Sequence, residues 1–200
     1  MVCLYFFFQN YWHIVGSDVT VTVLSCLNSS HILKSSNFTH IVLIPKVKNP
    51  TRVSDYRPIS LCNIIFKLIS KVMANRMKRI LPQIISDNQS VYVPGRLITD
   101  NFLVAFETLH SMHKRSGGRV GSMTIKLDMS KAYDWVEWHF LWQIMEKLGF
   151  HGSWIDLVMA CLSTVSYSVL LNGCLEGYII PTRGIRQGGS TISVSIPYLC

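Results

Sequence analysis

Apolar residues at helical spacing dominate the first half of the chain. Over residues 11–33, 61–81 and 99–114 they recur every three or four positions, which predicts three amphipathic helices. Gly16 interrupts the first of these, and Ser17 and Asp18 after it are residues that cap a second helical piece. The apolar face of the second helix is predicted to consist of Ile64, Ile65, Leu68, Ile69, Val72, Met77, Ile80 and Leu81.

Short apolar runs between the helices predict strands. Residues 40–44 predict a buried strand that Pro45 ends, because proline lacks the amide hydrogen that a strand ladder needs. A polar loop over residues 46–55 and a short extended segment over 56–59 follow. Residues 122–128 alternate in polarity, as in a half-buried strand. The elements predicted after it are a helix over 130–148 stopped by Gly149, a helix over 153–163, and a hairpin of strands 167–171 and 177–180 around Asn172 and Gly173.

The composition adds a basic charge to this α+β pattern. Nineteen Lys and Arg stand against eleven Asp and Glu, a net charge of +8, and 49% of the residues are apolar. A basic excess suits a partner made of phosphates, although many basic proteins bind no nucleic acid. Five basic residues cluster away from the apolar face of helix 61–81, and two interpretations stay open: a solvated face on a core helix, or a flank that faces phosphates. These residues are Lys67, Lys71, Arg76, Lys78 and Arg79.

The six cysteines include no close pair of the C-x-x-C kind, which argues against a zinc site. The apolar start over residues 1–8 lacks a basic leader and a small-residue cleavage site, so no signal peptide is predicted. No other apolar stretch approaches the roughly 20 residues that span a bilayer. An intracellular protein without a membrane partner is expected; nucleus and cytoplasm are not distinguished, and no oligomeric state is predicted.

Asp128 comes at the end of the strand predicted over residues 122–128. A carboxylate held there suits a divalent cation such as Mg²⁺, which prefers hard oxygen ligands in fixed positions. The alternative is a helix cap, which is the commoner role of an aspartate between a strand and a helix.

The residues around Asp128 resemble a known motif. Leu127-Asp128-Met129-Ser130-Lys131-Ala132-Tyr133-Asp134 is similar to the first palm motif of reverse transcriptases from non-LTR (LINE-type) retrotransposons, especially those of plants. The resemblance implies that Asp128 is a catalytic residue that binds metal, and that Tyr133 crowds the sugar 2′ position and disfavours ribonucleotides. Asp134 is expected to support the motif structurally.

Further motifs of the same family occur in family order. The runs 43–46 and 55–61 match the fingers motifs, which implies that Lys46 and Arg57 hold the incoming triphosphate. Residues 88–96 resemble the segment before the palm, which places Gly95 and Arg96 close to the template. Arg-Gly-Ile-Arg-Gln-Gly at 183–188 matches the next palm motif, in which Gln187 and Gly188 lie against the nucleotide and template base.

The resemblance implies a partial right-hand polymerase fold. Its predicted parts are a helical segment over residues 1–37, fingers over 38–122 and an incomplete palm over 123–188, with the thumb absent. The implied cofactor is Mg²⁺, and the implied partners are an RNA template, a DNA primer and deoxynucleoside triphosphates. The expected function is that of a fragment of an RNA-directed DNA polymerase.

The family pattern breaks off before its second carboxylate motif. The last acidic residue is Glu176, so Asp128 has no aromatic-x-Asp-Asp partner and the chain alone is expected to be inactive. Residues 189–200 depart from the family's Asp-Pro-Leu-Ser-Pro-Tyr-Leu-Phe, and one inserted nucleotide in a suitable coding sequence reproduces them, so an out-of-frame tail is predicted. A splice junction or an erroneous gene model would also account for this tail. The alternative functions are a residual non-catalytic nucleic-acid-binding fragment and a translated pseudogene without function.

Overall fold

The computed structural model describes residues 2–89, 93, 95–114, 123–125 and 132–186. The α-helices of this part are α1 (Val2–Asn10), α2 (Trp12–Ser29), α3 (Ile64–Met77), α4 (Leu81–Ile84), α5 (Ile98–Lys114), α6 (Trp138–Lys147) and α7 (Gly152–Ser163). Short 3-10 helices cover Lys34–Asn37, Val53–Asp55 and Ala132–Trp135. The strands are β1 (Phe38–Pro45), β2 (Tyr56–Cys62), β3 (Ser166–Leu171) and β4 (Cys174–Ile179).

The four strands form one sheet in the order β2-β1-β3-β4. β1 pairs antiparallel with β2 and parallel with β3, and β3 pairs antiparallel with β4. The sheet thus joins strands from the predicted fingers and from the segment predicted as palm. The mixed fold is confirmed as α+β, whereas the division into fingers and palm stays a prediction.

The β3–β4 hairpin turns where the sequence predicts it, but β4 begins at Cys174 and not at the predicted residue 177. Its turn consists of Asn172 and Gly173, both with positive φ, at 50° and 85°. Two such residues match the right-handed twist of the flanking strands, which is why Asn-Gly favours a two-residue hairpin. Local turn chemistry therefore fixes this element.

The hydrophobic core lies around α3. The helix buries Phe66, Ile69, Ser70, Met73, Ala74 and Met77, which recur at helical spacing. Side chains of α2, α6 and α7 complete the same core cluster. The predicted apolar face was therefore partly wrong: Ile64, Ile65, Leu68 and Val72 are only half-buried. Both sets are spaced for a helix, and the packing of neighbouring helices decides which one is buried.

Three of the predicted helices have wrong boundaries. The helix predicted over 61–81 begins at Ile64, because Leu61 and Cys62 belong to β2, and it ends at Met77. α2 runs through Gly16 without a second cap, and the Trp12 ring packs so closely there that a Cβ on Gly16 would lie 2.9 Å from it. The helix predicted over 130–148 is instead a 3-10 turn and then α6, which begins at Trp138. Its end at Gly149, with φ +80°, is confirmed.

The strand predicted over residues 122–128 falls largely outside the described residues. Its described part, residues 123–125, lies outside any strand, so the prediction was wrong there. Within the part of the chain that the structure covers, no helix is long and apolar enough to cross a membrane.

Candidate functional site

The site is built on two segments that lie far apart in sequence and are joined by hydrogen bonds. The amide of Gly184 donates to the carbonyl of Val136 at 2.8 Å, and the amide of Ile185 donates to the carbonyl of Tyr133 at 2.7 Å. The indole Nε1 of Trp138 donates to the carbonyl of Gly184 at 2.8 Å. These bonds explain why residues 130–148 do not form one helix, since the carbonyls of Tyr133 and Val136 are already engaged.

Gly184 permits this close approach. Its φ of +82° lies in the left-handed region, which side chains with a Cβ rarely adopt. A Cβ there would also meet the backbone of the other segment, 3.1 Å from the Asp134 carbonyl oxygen and 3.2 Å from the Tyr133 carbonyl oxygen. Both constraints favour glycine at this position.

Tyr133 and the start of the Arg-Gly-Ile-Arg-Gln-Gly motif, residues 183–186, are thereby held side by side. Tyr133 is half-buried and packs against the core cluster. On the outer side, the Arg183 guanidinium lies 4.5 Å from the Trp135 ring centroid and 3.5 Å from a Glu137 carboxylate oxygen. Because Arg183 and Glu137 are both exposed, this ion pair adds little to stability.

Arg186 anchors the second segment beneath this contact. Its Nη2 donates to Oδ1 of Asn37 at 2.6 Å, and its Nη1 donates to the Cys62 thiol at 3.0 Å. The guanidinium also lies 4.7 Å from the Phe66 ring centroid and 5.7 Å from that of Tyr167. Arg186 therefore connects the start of β1, the end of β2, α3 and β3.

The charge of Arg186 is stabilised by neutral groups. It makes no ion pair within the described ranges, and its partners are the side-chain amide and the backbone carbonyl of Asn37, a thiol and two aromatic faces. Burial raises the pKa of the neighbouring Tyr167 phenol, and the Arg186 charge opposes that rise. Burial also raises the pKa of the nearby Cys161 thiol to about 12, so this cysteine stays protonated.

Asn37 completes the anchor, and sequence reasoning missed its role. The side chain is fully buried, and its Nδ2 donates to the Cys161 carbonyl and to Thr164 Oγ1, both at 2.8 Å. In the sequence, Asn37 could be noticed only as the first residue of an Asn-Phe-Thr glycosylation sequon. Its amide is instead committed to the contact between β1, α7 and Arg186.

Lys46 and Arg57, the predicted triphosphate ligands, lie at the same end of the β1–β2 hairpin. Arg57 is opposite Ile44 in the ladder, and the Lys46 amide extends the pairing by donating to the Asp55 carbonyl at 2.7 Å. Lys46 Nζ donates to the Ser54 carbonyl at 2.8 Å. Both basic side chains are exposed. The hairpin brings these two residues together, and no contact within the described ranges joins them to Tyr133.

The hairpin loop is closed by Asp55. Its carboxylate accepts from the amides of Arg52 and Thr51, at 2.9 and 3.0 Å. These two bonds, that from Arg52 first, hold the pKa of Asp55 below its usual value. The negative charge of Asp55 is thus committed to its own loop.

Arg96, a predicted template contact, is engaged in the loop that precedes α5. Its Nη1 donates to the carbonyls of Ser86 and Gln89, at 2.5 and 2.7 Å, and its Nη2 reaches Asp87 Oδ1 at 2.9 Å. The adjacent Gly95 is exposed, with φ +82°, and no described atom lies within 4 Å of where a Cβ would be. The structure gives Arg96 a loop-fixing role, and contact of either residue with a template stays a prediction.

Asp128, Gln187 and Gly188 lie outside the described residues. The described segment that begins at Ala132 follows Asp128, and the described segment that ends at Arg186 precedes Gln187. These are the two segments that the backbone hydrogen bonds join. Among the residues that the structure describes, no group of three or more His, Cys, Asp or Glu side chains is arranged to hold a metal ion.

The comparisons identify the class of protein. Residues 44–198 match the family model described as reverse transcriptase (RNA-dependent DNA polymerase), and the chain belongs to this family. The matched range includes the β1–β2 hairpin end, the Tyr133 segment and the Arg183–Arg186 segment.

The relatives specify the kind of reverse transcriptase. The chain is 28% identical over 199 residues to the Transposon TX1 uncharacterized 149 kDa protein of Xenopus laevis, covering 97% of this chain and 15% of that protein. It is 24% identical over 166 residues to the Retrovirus-related Pol polyprotein from type-2 retrotransposable element R2DM of Drosophila melanogaster, covering 83% of this chain and 15% of that protein. The chain is a reverse transcriptase domain fragment homologous to proteins of non-LTR retrotransposons, and it spans about 15% of the length of these relatives. A plant origin stays a prediction.

Proposed function

We propose that this fragment forms the nucleotide-facing part of an RNA-directed DNA polymerase, with an RNA template, a DNA primer and deoxynucleoside triphosphates as its ligands. The observation that supports this most is the hydrogen-bonded contact of Tyr133 and Val136 with Gly184 and Ile185. It brings the segment that follows Asp128 beside the one that precedes Gln187 and Gly188. A site that acts by positioning its ligands needs such a fixed arrangement.

Each predicted residue has a proposed role in this site. Tyr133 excludes the ribose 2′ hydroxyl, and Gln187 and Gly188 lie along the nucleotide and its paired base. Lys46 and Arg57 offset the charge of the triphosphate, which electrostatic stabilisation of phosphoryl transfer requires. Residues 38–122 are the proposed fingers, and 123–188 the proposed part of the palm.

Reverse transcriptases use divalent metal, and Asp128 is the residue that we propose as a ligand, with Mg²⁺ as the ion. A pair of such ions stabilises the attacking and leaving oxygens when bound. The described carboxylates do not supply a complete set of ligands, since Glu137 is paired with Arg183 and Asp55 is committed to its loop. No acidic residue follows Glu176 in this chain. We therefore propose that these 200 residues alone bind ligands without extending a primer.

Nucleotide selection at Tyr133 tests the proposed site. A photoreactive azido-dATP, presented with Mg²⁺ and an RNA–DNA primer-template, is expected to label the chain, and dATP is expected to compete better than ATP. In Tyr133→Val, which removes the ring, ATP should compete nearly as well as dATP. The matched variant Tyr133→Phe keeps the ring and should keep the preference. Equal competition by ATP and dATP in the unaltered chain would argue against the proposed role.

Primer extension tests the proposed inactivity. With an RNA template, a DNA primer and Mg²⁺, the purified chain is expected to give no product. A product that disappears in Asp128→Ala would show that the chain is a complete catalyst.

A second candidate function, a nucleic-acid-binding fragment without nucleotide selection, is favoured by the charge distribution. Residues 34–86 contain ten of the nineteen Lys and Arg residues and one of the eleven Asp and Glu residues. Salt-dependent binding of an RNA–DNA hybrid without labelling by azido-dATP would support this alternative.

A further inference from the structure

Trp135 lies on the outer side of the contact that joins the two segments of the candidate site. It ends the 3-10 turn Ala132–Trp135, and the next residue, Val136, accepts a hydrogen bond from the Gly184 amide. Trp135 is 55% exposed, the largest exposed fraction among the five tryptophans of the chain. Exposure of so large an apolar ring is unfavourable in water. A binding role for the ring would account for its position.

One face of the Trp135 ring is already covered. The Cζ atom of Arg183 lies 4.5 Å from the ring centroid, a distance at which a cation and an aromatic ring attract each other. Glu137 holds the guanidinium in turn, with 3.5 Å between Nη1 of Arg183 and Oε1 of Glu137. In the described part of the chain, no other cation lies over this ring. Because the residue is more than half exposed, the opposite face of the indole is open to a flat ligand.

Packing within the fold accounts for three of the other tryptophans. Trp138 donates a hydrogen bond to the Gly184 carbonyl and packs against the core cluster, which Trp154 also contacts. The Trp12 ring packs against Gly16. Trp135 does not belong to the core cluster. The stability of the core therefore does not explain why a tryptophan occupies this position.

The paired charges beside the ring indicate a ligand that is a base and not a phosphate. Arg183 and Glu137 carry opposite charges and are in contact, so together they attract a phosphate only weakly. Nucleobases are flat and stack on aromatic side chains whatever their sequence, and a neighbouring arginine strengthens such a platform. Both faces of a base are covered within a duplex, so the base that stacks here must be unpaired, as in a single strand.

We infer that Trp135, with Arg183 behind its ring, stacks on an unpaired base of the single-stranded template. Bases that await copying are unpaired, and the two joined segments follow Asp128 and precede Gln187 in the chain. The identity of the strand as template rests on the proposed function, whereas the stacking itself requires only a single strand. Trp135 thus adds a base contact to a site whose other expected template contacts are Gly95 and Arg96.

The experiment measures binding of the full chain to a single-stranded RNA of about 12 nucleotides over a range of KCl concentrations. Trp135→Leu keeps an apolar side chain and removes the ring, so the affinity should fall by about fivefold or more. The slope of log K against log[salt] should stay the same, because no phosphate contact is lost. Trp135→Phe keeps a stacking ring and should retain most of the affinity.

An abasic strand of the same length separates bases from phosphates without any substitution. It keeps every phosphate and offers no base, so the unaltered chain should bind it more weakly than the ordinary strand. Trp135→Leu and the unaltered chain should bind the abasic strand equally, since the variant and the ligand then lack the two halves of one contact.

The control is Trp12→Leu, which removes another exposed indole, on α2, and should leave the affinity unchanged. Circular dichroism melting should show that all three variants remain folded. Unchanged affinity in Trp135→Leu, an equal loss in Trp12→Leu, or the same loss on the abasic strand would overturn the inference.

Failure of this inference is distinguishable from failure of the proposed function. If azido-dATP does not label the chain but Trp135→Leu loses base-dependent binding, the stacking stands and the proposed function alone is wrong. If labelling depends on Tyr133 while Trp135→Leu binds the strand normally, the inference about Trp135 alone is wrong.

Discussion

Asn37 and Arg186 are 149 residues apart, and their side chains meet in a 2.6 Å hydrogen bond. The bond connects the residue before β1 with the last described residue of the Arg-Gly-Ile-Arg motif. Arg186 directly precedes Gln187 in the chain, so the buried Asn37 fixes the last described residue before the predicted nucleotide-facing pair. The hydrogen bond between Asn37 and Arg186 therefore belongs both to the buried core and to the proposed site.

Replacing Asn37 by alanine should destabilise the protein strongly. The change leaves the Cys161 carbonyl and the Arg186 guanidinium without their amide partner, and hydrogen bonds to charged or buried groups are costly to lose. We expect the free energy of unfolding in urea to fall by about 2–4 kcal/mol. The control Asn75→Ala, at an exposed position of α3, should change it by less than about 0.5 kcal/mol. Equal effects of the two variants would contradict the anchoring role of Asn37.

The loop of the β1–β2 hairpin should open in acid. The amides of Arg52 and Thr51 lower the pKa of Asp55, so the folded loop binds the proton less readily than the unfolded chain does. Its stabilising contribution is present above the ordinary aspartate pKa and is lost as the pH falls through the lowered value. Amide hydrogen exchange at Arg52 and Thr51 measures this. In Asp55→Asn both amides should exchange faster at neutral pH; an unchanged rate would show that the carboxylate does not close the loop.

Elements fixed by local chemistry could be predicted from the sequence. The Asn172–Gly173 turn depends on two adjacent residues that tolerate positive φ, and α7 depends on a short run of apolar residues. The motifs themselves were also visible, which is why the family prediction was confirmed. The roles assigned to Asp128, Tyr133 and the other site residues stay predictions.

Features that depend on contacts between residues far apart in the sequence could not be predicted from it. The break between residues 135 and 138 arises because Gly184 and Ile185 take the carbonyls that a continuous helix would use. The buried face of α3 depends on which neighbouring helices pack there, and both possible faces are apolar at helical spacing. The role of Asn37 depends on Arg186, and no local pattern relates two residues so far apart.

The reading frame near the end of the chain can be tested directly. Residues 189–200 follow Arg-Gln-Gly but lack the family's Asp-Pro-Leu-Ser-Pro, and insertion of one base before that motif yields the observed residues for a suitable choice of codons. Sequencing of the genomic locus and its transcripts is expected to show that deletion of one base near the Gly189 codon restores the motif. If no single-base deletion restores it, the frame prediction is wrong.

Alanine at Gly184 should separate the two segments of the candidate site. The new Cβ would lie 3.1–3.2 Å from the backbone of Tyr133 and Asp134, in addition to the strain of φ +82°. The control Gly149→Ala has a similar φ of +80° and nothing within 4 Å of the added Cβ, so it measures the backbone strain alone. Strain at positive φ costs about 1–2 kcal/mol, and we expect Gly184→Ala to lower the free energy of unfolding by at least about 1 kcal/mol more than the control. The excess should be accompanied by faster amide exchange at Ile185, whose bond to the Tyr133 carbonyl must lengthen. Equal destabilisation by the two substitutions would mean that the close approach of the segments does not depend on glycine.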